Sequence, residues 1–397
     1  MEATVPDKDV PLFFPPISTI GQYEGWNDEV TASFFTATRK VLNLNPVLLG
    51  RVKEKDKEEK TFGIFSMKQL FKEEELLQEV DLRRTLPAST LLLPAKDASL
   101  REKMLALRDL SFIPKQGSGL DLVQSDKPSV FRIDVFRMSD DRAILFFSIF
   151  HGIADLATAK LILGQISDVM QNRPVTLIDW DRGLDNMIFP AHYTLDDLKN
   201  NSVPSPMEKP SLNDISLIDR EAMEQLKRSM VSTDKCEYIT SNDIITAGMA
   251  QAFKADCIQM PFNYRAKQRN EQEDLVNVGW NYLYILTMDG ASALDPNLVH
   301  MSIDKQIKHS IPPRCKWPVR LHHSNWVALP LHLPSMPERF PGLELECFVV
   351  AREFLDQYAE LFVVTYLATR SDVAVNYPAA RELIESQPTM GQCVRRD

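Results

Sequence analysis

The chain reads as an α/β protein built in two halves, and three observations predict it. Strand-like and helix-like runs alternate along the sequence, and both halves contain each kind. A stretch rich in proline and asparagine, from Pro190 to Pro210, lies between them. The length of 397 residues exceeds what a single hydrophobic core usually serves. These divide the chain into a first domain at 1–188, a crossover linker at 189–215 and a second domain at 216–397.

The elements follow in order. Residues 28–42 put Val30, Phe34, Ala37 and Val41 on one helical face, with Asn27 or Asp28 placed to cap it. Residues 46–52 are mostly apolar, and 53–60 read as a solvated loop of mixed charge. Segment 129–138 alternates Phe131, Ile133 and Val135 with Arg132 and Asp134, the pattern of a half-buried strand. After a turn at 139–142, residues 143–150 are almost continuously apolar, as in a strand covered on both faces. The two form a hairpin that ends at His151. A helix is expected over about 156–171. In the second half, helices over 219–230 and 242–253 precede strands at 283–288, 345–351 and 361–368, with Ser241 or Asn242 as the second helix's cap. No internal repeat or low-complexity tract is present.

Composition narrows the function. At 44% hydrophobic and 25% charged residues the chain is an ordinary globular protein. A net charge of −10 makes nucleic acid an unexpected partner, while leaving room for a local basic pocket. Cys236, Cys257, Cys315, Cys347 and Cys393 are odd in number and form no C-x-x-C pair, which argues for a reducing compartment rather than a disulfide framework. Residues 1–16 are acidic and broken by prolines, unlike a signal peptide. No apolar run reaches the ~18 residues of a membrane span. A cytoplasmic monomer is expected.

The first group that suggests chemistry is His151-Gly152-Ile153-Ala154-Asp155. An imidazole at the mouth of a buried strand, beside a glycine that lets substrate approach, suits a general base. The alternative is a core histidine bonded to a neighbour. Four-residue spacing could also pair two metal ligands, but no third His, Cys or carboxylate stands at useful spacing, so no metal is expected. The chain has no G-x-S-x-G, which disfavours a serine hydrolase.

Several segments, in order, resemble the BAHD and chloramphenicol-acetyltransferase-like acyltransferases. Residues 45–52, NPVLLGRV, are similar to the family's P-x-L-A-G-R-L strand, and SIFHGIAD at 148–155 to its H-x-x-x-D. IDREAMEQLKRSM at 218–230 and YITSNDIITA at 238–247 resemble the stretch that opens the family's second half. PFNYR at 261–265 with VGWN at 278–281 resembles the N-x-R and Y-F-G-N region, and SNWVALP at 324–330 the S-W-x-x-L-P segment. The likeness runs from about residue 30 to 370. Two departures stand out: Leu156 replaces the glycine after the motif aspartate, and HLPSMP at 332–337 fills the place of D-F-G-W-G.

The resemblance implies two similar domains, each a mixed sheet with helices, and an interdomain tunnel. It implies acyl-CoA as co-substrate with no permanently bound cofactor, and transfer to a hydroxyl or amine of a small-molecule acceptor, a reaction type common in secondary metabolism. His151 takes the base's role, and Asp155 paired with Arg265 supports its loop. Asn325 and Trp326 are candidates for oxyanion or substrate binding, with a packed strand end as the alternative. Lys227, Arg228 and Ser241 are candidates for CoA binding, with solvated helix charges as the alternative for the two cations. A condensation-like transferase using a carrier protein, a wax-ester or diacylglycerol acyltransferase, and a non-catalytic binding protein on the same fold are the competing readings. Phe150 precedes the motif histidine where condensation domains often carry a second histidine, and this favours CoA.

Overall fold

A computed structural model of the chain describes residues 16–56, 61–66, 77–82, 97–113, 130–180, 213–230, 236, 238–263, 279, 283–289, 295–309, 320–352 and 361–395. Contacts group the chain into two compact units, and neither is contiguous. The first takes 1–187, 268–282 and 329–357, and the second takes 188–267, 283–328 and 358–397. Residues 329–357 thus group with the first unit, whereas a division into 1–188 and 216–397 places them in the second half of the chain. The reason is strand pairing across a long sequence separation, described next.

In the first unit, β1 (Ile17–Glu24), β4 (Leu77–Asp81), β5 (Phe131–Arg137), β6 (Arg142–Ile149) and β11 (Glu344–Val350) form one sheet in the order β11-β1-β6-β5-β4. All neighbours are antiparallel except β4 and β5. β6 lies at the centre, and its residues 143–149 are all buried, as their continuous apolar run predicts. Helix α1 (Asp28–Leu44) buries Val30, Phe34, Ala37 and Val41, and Asn27 caps it by accepting from the Val30 N–H at 3.0 Å. It packs against α3 (Leu156–Met170), where the Asn45 Nδ2 donates to Gln165 Oε1 at 2.7 Å. After a 3-10 turn at Pro46–Leu49, β2 (Gly50–Asp56) pairs with β3 (Thr61–Ser66) as a separate hairpin. Part of the expected loop at 53–60 is thus strand. Main-chain pairing with β3 makes it so, and a run of charged side chains gives no sign of that pairing.

β11 joins this sheet through β1. Its register with β1 shifts between Gln22 and Tyr23: Gln22 faces Cys347 and Tyr23 faces Leu345, leaving Glu346 as the extra residue of a bulge. The Glu346 carboxylate gathers Gln22 from β1, Arg142 from β6, and Lys103, at 3.1 Å, from α2 (Leu100–Arg108). Burial alone pushes this carboxyl up, but the hydrogen bonds from Arg142, Lys103 and Gln22 outweigh it and hold it below the usual glutamate range. Just beyond β1, Gly25 adopts φ +72°, and a Cβ there would stand 1.8 Å from the Gly342 carbonyl oxygen that precedes β11. Only glycine permits that approach.

The second unit has a six-stranded sheet made of β7 (Asp214–Leu217), β8 (Cys257–Asn263), β9 (Leu283–Asp289), β10 (Arg320–Asn325), β12 (Leu361–Leu367) and β13 (Val373–Tyr377), in the order β7-β13-β12-β10-β8-β9. β10 is parallel to both β12 and β8, and the other pairings are antiparallel. One core cluster joins Ile244, Ile245 and Met249 of α5 (Ser241–Phe253) to Ile258, Leu321, Val363, Val375 and Tyr377 of the sheet. Met223 of α4 (Arg220–Met230) belongs to the same cluster. Two mixed sheets with helices match the α/β class expected from the sequence.

Removing Glu346 leaves Arg142 and Lys103 without their shared partner. Glu346→Ala is expected to lower the free energy of urea unfolding at pH 7 by about 3 kcal/mol. Because the folded carboxyl is held below its ordinary value, its contribution is present above the ordinary glutamate range and is lost as pH falls through the lowered value. The gap between wild type and variant should therefore narrow in acid. An unchanged unfolding midpoint at pH 7 would show that β11 is held without this cluster.

Candidate active site

The site starts where β6 ends. Ile149 is paired on both sides, with Ile17 of β1 and Phe131 of β5, so the strand is held to its last residue. The Phe150 N–H donates to the Val130 carbonyl at 2.8 Å, and the Ile153 N–H then returns to the Phe150 carbonyl at 3.1 Å, turning the chain at His151. Asp155 closes the turn as the N-cap of α3. Its backbone is extended, its carboxylate accepts from the Thr158 N–H at 2.9 Å, and its side chain is fully buried. Leu156 is the first helical residue, a position with ordinary right-handed backbone. A glycine is therefore not required after the motif aspartate, which accounts for the departure there.

His151 is 7% exposed. Burial holds the imidazole below its ordinary value, while hydrogen bonds to the backbone of His151 itself and of Ala154, and the field of Asp155, pull partly back. The net direction is downward, so the ring is neutral at neutral pH. A neutral imidazole, anchored by backbone and beside a carboxylate, can accept a proton.

In the second unit, Asn325 ends β10. Its Nδ2 donates to Asn242 Oδ1 at 2.7 Å and its Oδ1 accepts from the Val327 N–H at 3.0 Å. Trp326 is 2% exposed, and its indole N–H donates to Ser324 Oγ at 2.8 Å. The one side-chain donor of Trp326 is thus committed within the fold, and the ring is a packing group. Ser241 is the first residue of α5, whose cap is Thr240 rather than Ser241 or Asn242. Thr240 and Asp243 form a capping box: the Thr240 N–H donates to Asp243 at 2.8 Å, and the Asp243 N–H to Thr240 Oγ1 at 3.2 Å. His300 of α6 (Pro296–His309) adds its Nδ1 to the same carboxylate at 3.0 Å. Lys227 and Arg228 lie in the last turn of α4, with Lys227 paired to Glu224 at 2.7 Å and Arg228 exposed. Arg265 lies outside the described residues, as does the stretch 190–210 expected to be a crossover. Among the described residues no group of three His, Cys, Asp or Glu could hold a metal ion, and no helix is long and apolar enough to cross a membrane.

No protein-family model matches the chain, and no curated protein matches it. Solved structures do. TRI101 of F. sporotrichioides, crystallised with coenzyme A and T-2, superposes with a TM-score of 0.69 at 12% identity, over 100% of this chain and 99% of that one. This chain has the TRI101 fold. The F. graminearum TRI101 complex with coenzyme A and T-2 mycotoxin gives 0.66 at 12% identity, over 97% of this chain and 96% of that one. The first condensation domain of the CDA synthetase gives 0.57 at 13% identity, over 94% and 88%.

Within the TRI101 fold, this chain brings His151 and Asp155 into one turn and joins Asn325 to the start of α5. Lys227 and Arg228 lie on a different helix from Ser241. The segment 332–337 packs through Leu333 and Met336, both buried, and the Leu333 N–H donates to Tyr23 Oη at 3.0 Å. Apolar anchors thus fill the place of D-F-G-W-G. Sequence reasoning missed Asn242, Asp243 and His300 as a group. A signal for part of it was present, since Thr240-x-x-Asp243 is a capping-box pattern.

Asp155 has a capping role that a neutral amide can share. Asp155→Asn should keep most of the cap, while Asp155→Ala should unfold with about 1 kcal/mol less stability than the asparagine variant. Thermal melts of the two variants check this. Equal losses in both would mean that the charge of Asp155, and not its capping oxygen, holds the turn.

Proposed function

We propose that the chain is an acyltransferase that moves an acyl group from acyl-CoA to a hydroxyl or amine of a small-molecule acceptor, with His151 as general base. One observation carries this: a neutral, backbone-anchored histidine stands at the mouth of the central strand, in a fold whose solved examples include complexes with coenzyme A. His151 takes the proton as the acceptor's oxygen or nitrogen attacks the thioester carbonyl. The tetrahedral intermediate carries an oxyanion, for which the amide of Asn325 is the candidate donor. When the intermediate collapses, the C–S bond breaks, and the proton on His151 goes to the departing thiolate. No acyl-enzyme forms.

Asp155 supports the His151 turn, with Arg265 as its proposed ionic partner. Ser241 offers a hydroxyl at a helix N-terminus, where backbone N–H groups favour phosphate. Lys227 and Arg228 are the basic side chains proposed to face the CoA phosphates. The cytoplasm is the proposed compartment, and the monomer the proposed state.

A panel of acyl-CoAs with pooled acceptors, followed by release of free CoA, tests the activity. His151→Ala should retain the fold and lose about 10²–10⁴ in rate. The acid limb of kcat/KM in wild type should fall below the ordinary histidine value of about 6.5, because the base must be neutral and burial lowers its affinity for protons. A folded alanine variant with wild-type turnover would make His151 structural. The condensation-domain likeness favours a second reading, in which the acyl group rides on a carrier protein. A carrier-bound donor that far outperforms acyl-CoA would establish it.

A further inference from the structure

Asn325 is held by two hydrogen bonds that together decide which way its amide points. The Val327 N–H can only donate, so the atom facing it at 3.0 Å is Oδ1. This is a local turn in which an asparagine side chain bonds the backbone two residues on. The Nδ2 then faces Asn242 Oδ1 at 2.7 Å. A flipped Asn325 amide would set Nδ2 against the Val327 N–H, donor against donor. An amide nitrogen has two hydrogens, and the bond to Asn242 uses one of them.

Asn242 is itself fixed. It is the second residue of α5, and its carbonyl accepts from Thr246 Oγ1 at 2.7 Å. Ahead of it, the capping box of Thr240 and Asp243 sets the backbone at the helix start. The Asp243 carboxylate is occupied there by the Thr240 N–H, the Thr240 hydroxyl at 2.7 Å and His300 Nδ1. Its negative charge is therefore spent on the cap. What α5 presents toward Asn325 is the Asn242 amide at the positive end of a helix.

We propose that Asn242 is a positioning residue for the acyl-transfer reaction: it ties the Asn325 amide to the N-terminus of α5 and fixes its second Nδ2–H, which has no partner among the described residues, to serve as the oxyanion donor. This rests on the reading of Asn325 given under Proposed function. Preorganisation matters because a donor already oriented need not reorganise as charge develops on the oxygen. Losing the tie leaves the donor present but unaimed. The cost should therefore fall on kcat, and be smaller than the cost of losing the donor itself.

The test is a double-mutant cycle in full-length protein, with kcat and KM measured for acyl-CoA turnover and folding checked by circular dichroism. Asn325→Ala should lower kcat by about 10²-fold. Asn242→Ala should lower kcat by roughly 10-fold with KM for acyl-CoA unchanged, since only transition-state binding is affected. The double variant should be no slower than Asn325→Ala alone, because Asn242 acts through Asn325. Asn242→Ser, a residue well suited to a helix start, serves as the second variant should alanine fail to fold, and should show the same kcat loss. Additive losses in the double variant, or a wild-type kcat in the folded Asn242 variants, would overturn the positioning role and leave Asn325 standing. A wild-type kcat in Asn325→Ala would remove the oxyanion reading and the positioning role with it.

Discussion

The central position of β6 is the constraint on which the rest of the site depends. Paired to β1 on one side and β5 on the other through Ile149, the strand cannot fray at its end. His151 follows two residues later, after a single backbone bond from Phe150 to Val130. Backbone and side-chain burial thus fix the imidazole before any substrate contact is considered. Burial then disfavours its protonated form, and the chain turns at once into α3 under the Asp155 cap.

Two described histidines, His151 and His323, are held neutral by burial. His323, on the helix-covered face of β10, is fully buried and held down to about 4 by loss of solvent. Thr246 Oγ1 already donates to the Asn242 carbonyl, so it accepts from His323 Nδ1, and Thr365 Oγ1, at 2.9 Å, donates to Nε2. Both ring nitrogens are used, and the ring is a neutral cross-brace between α5, β10 and β12. His300 is partly exposed and leans on the Asp243 carboxylate. His151 is neutral like His323, yet it lies at a strand mouth rather than inside a helix–sheet layer.

Much of this was legible from residues alone where the signal was local. The hairpin of β5 and β6 follows from alternation and then a continuous apolar run, α1 follows from helical spacing after Asn27 or Asp28, and a helix is expected over about the span of α3. The place of β11 was not legible, because Glu344–Val350 pairs with a strand more than 300 residues earlier and no local pattern names that partner. The likeness at 45–52 points to a strand, but residues 46–49 are a 3-10 turn and the run of β2 to Asp56 was hidden by its charges, since a two-stranded hairpin forms through main-chain bonds. In the site, His151 and Asp155 could be read from their spacing after a buried strand. The link between Asn242 and Asn325 could not, since it joins a helix start to a strand end 83 residues away. The committed indole of Trp326 was not legible either, although its acceptor Ser324 is only two residues earlier, because the bond depends on how the chain turns at the end of β10.

Burial at the strand mouth keeps the His151 imidazole neutral. An NMR titration of the imidazole signals, with the His151 resonance assigned by its loss in a His151→Gln variant, measures this directly. His151 is expected to titrate below the ordinary value of about 6.5 and to stay neutral through neutral pH. A His151 ring that gains its proton at or above that value would contradict it.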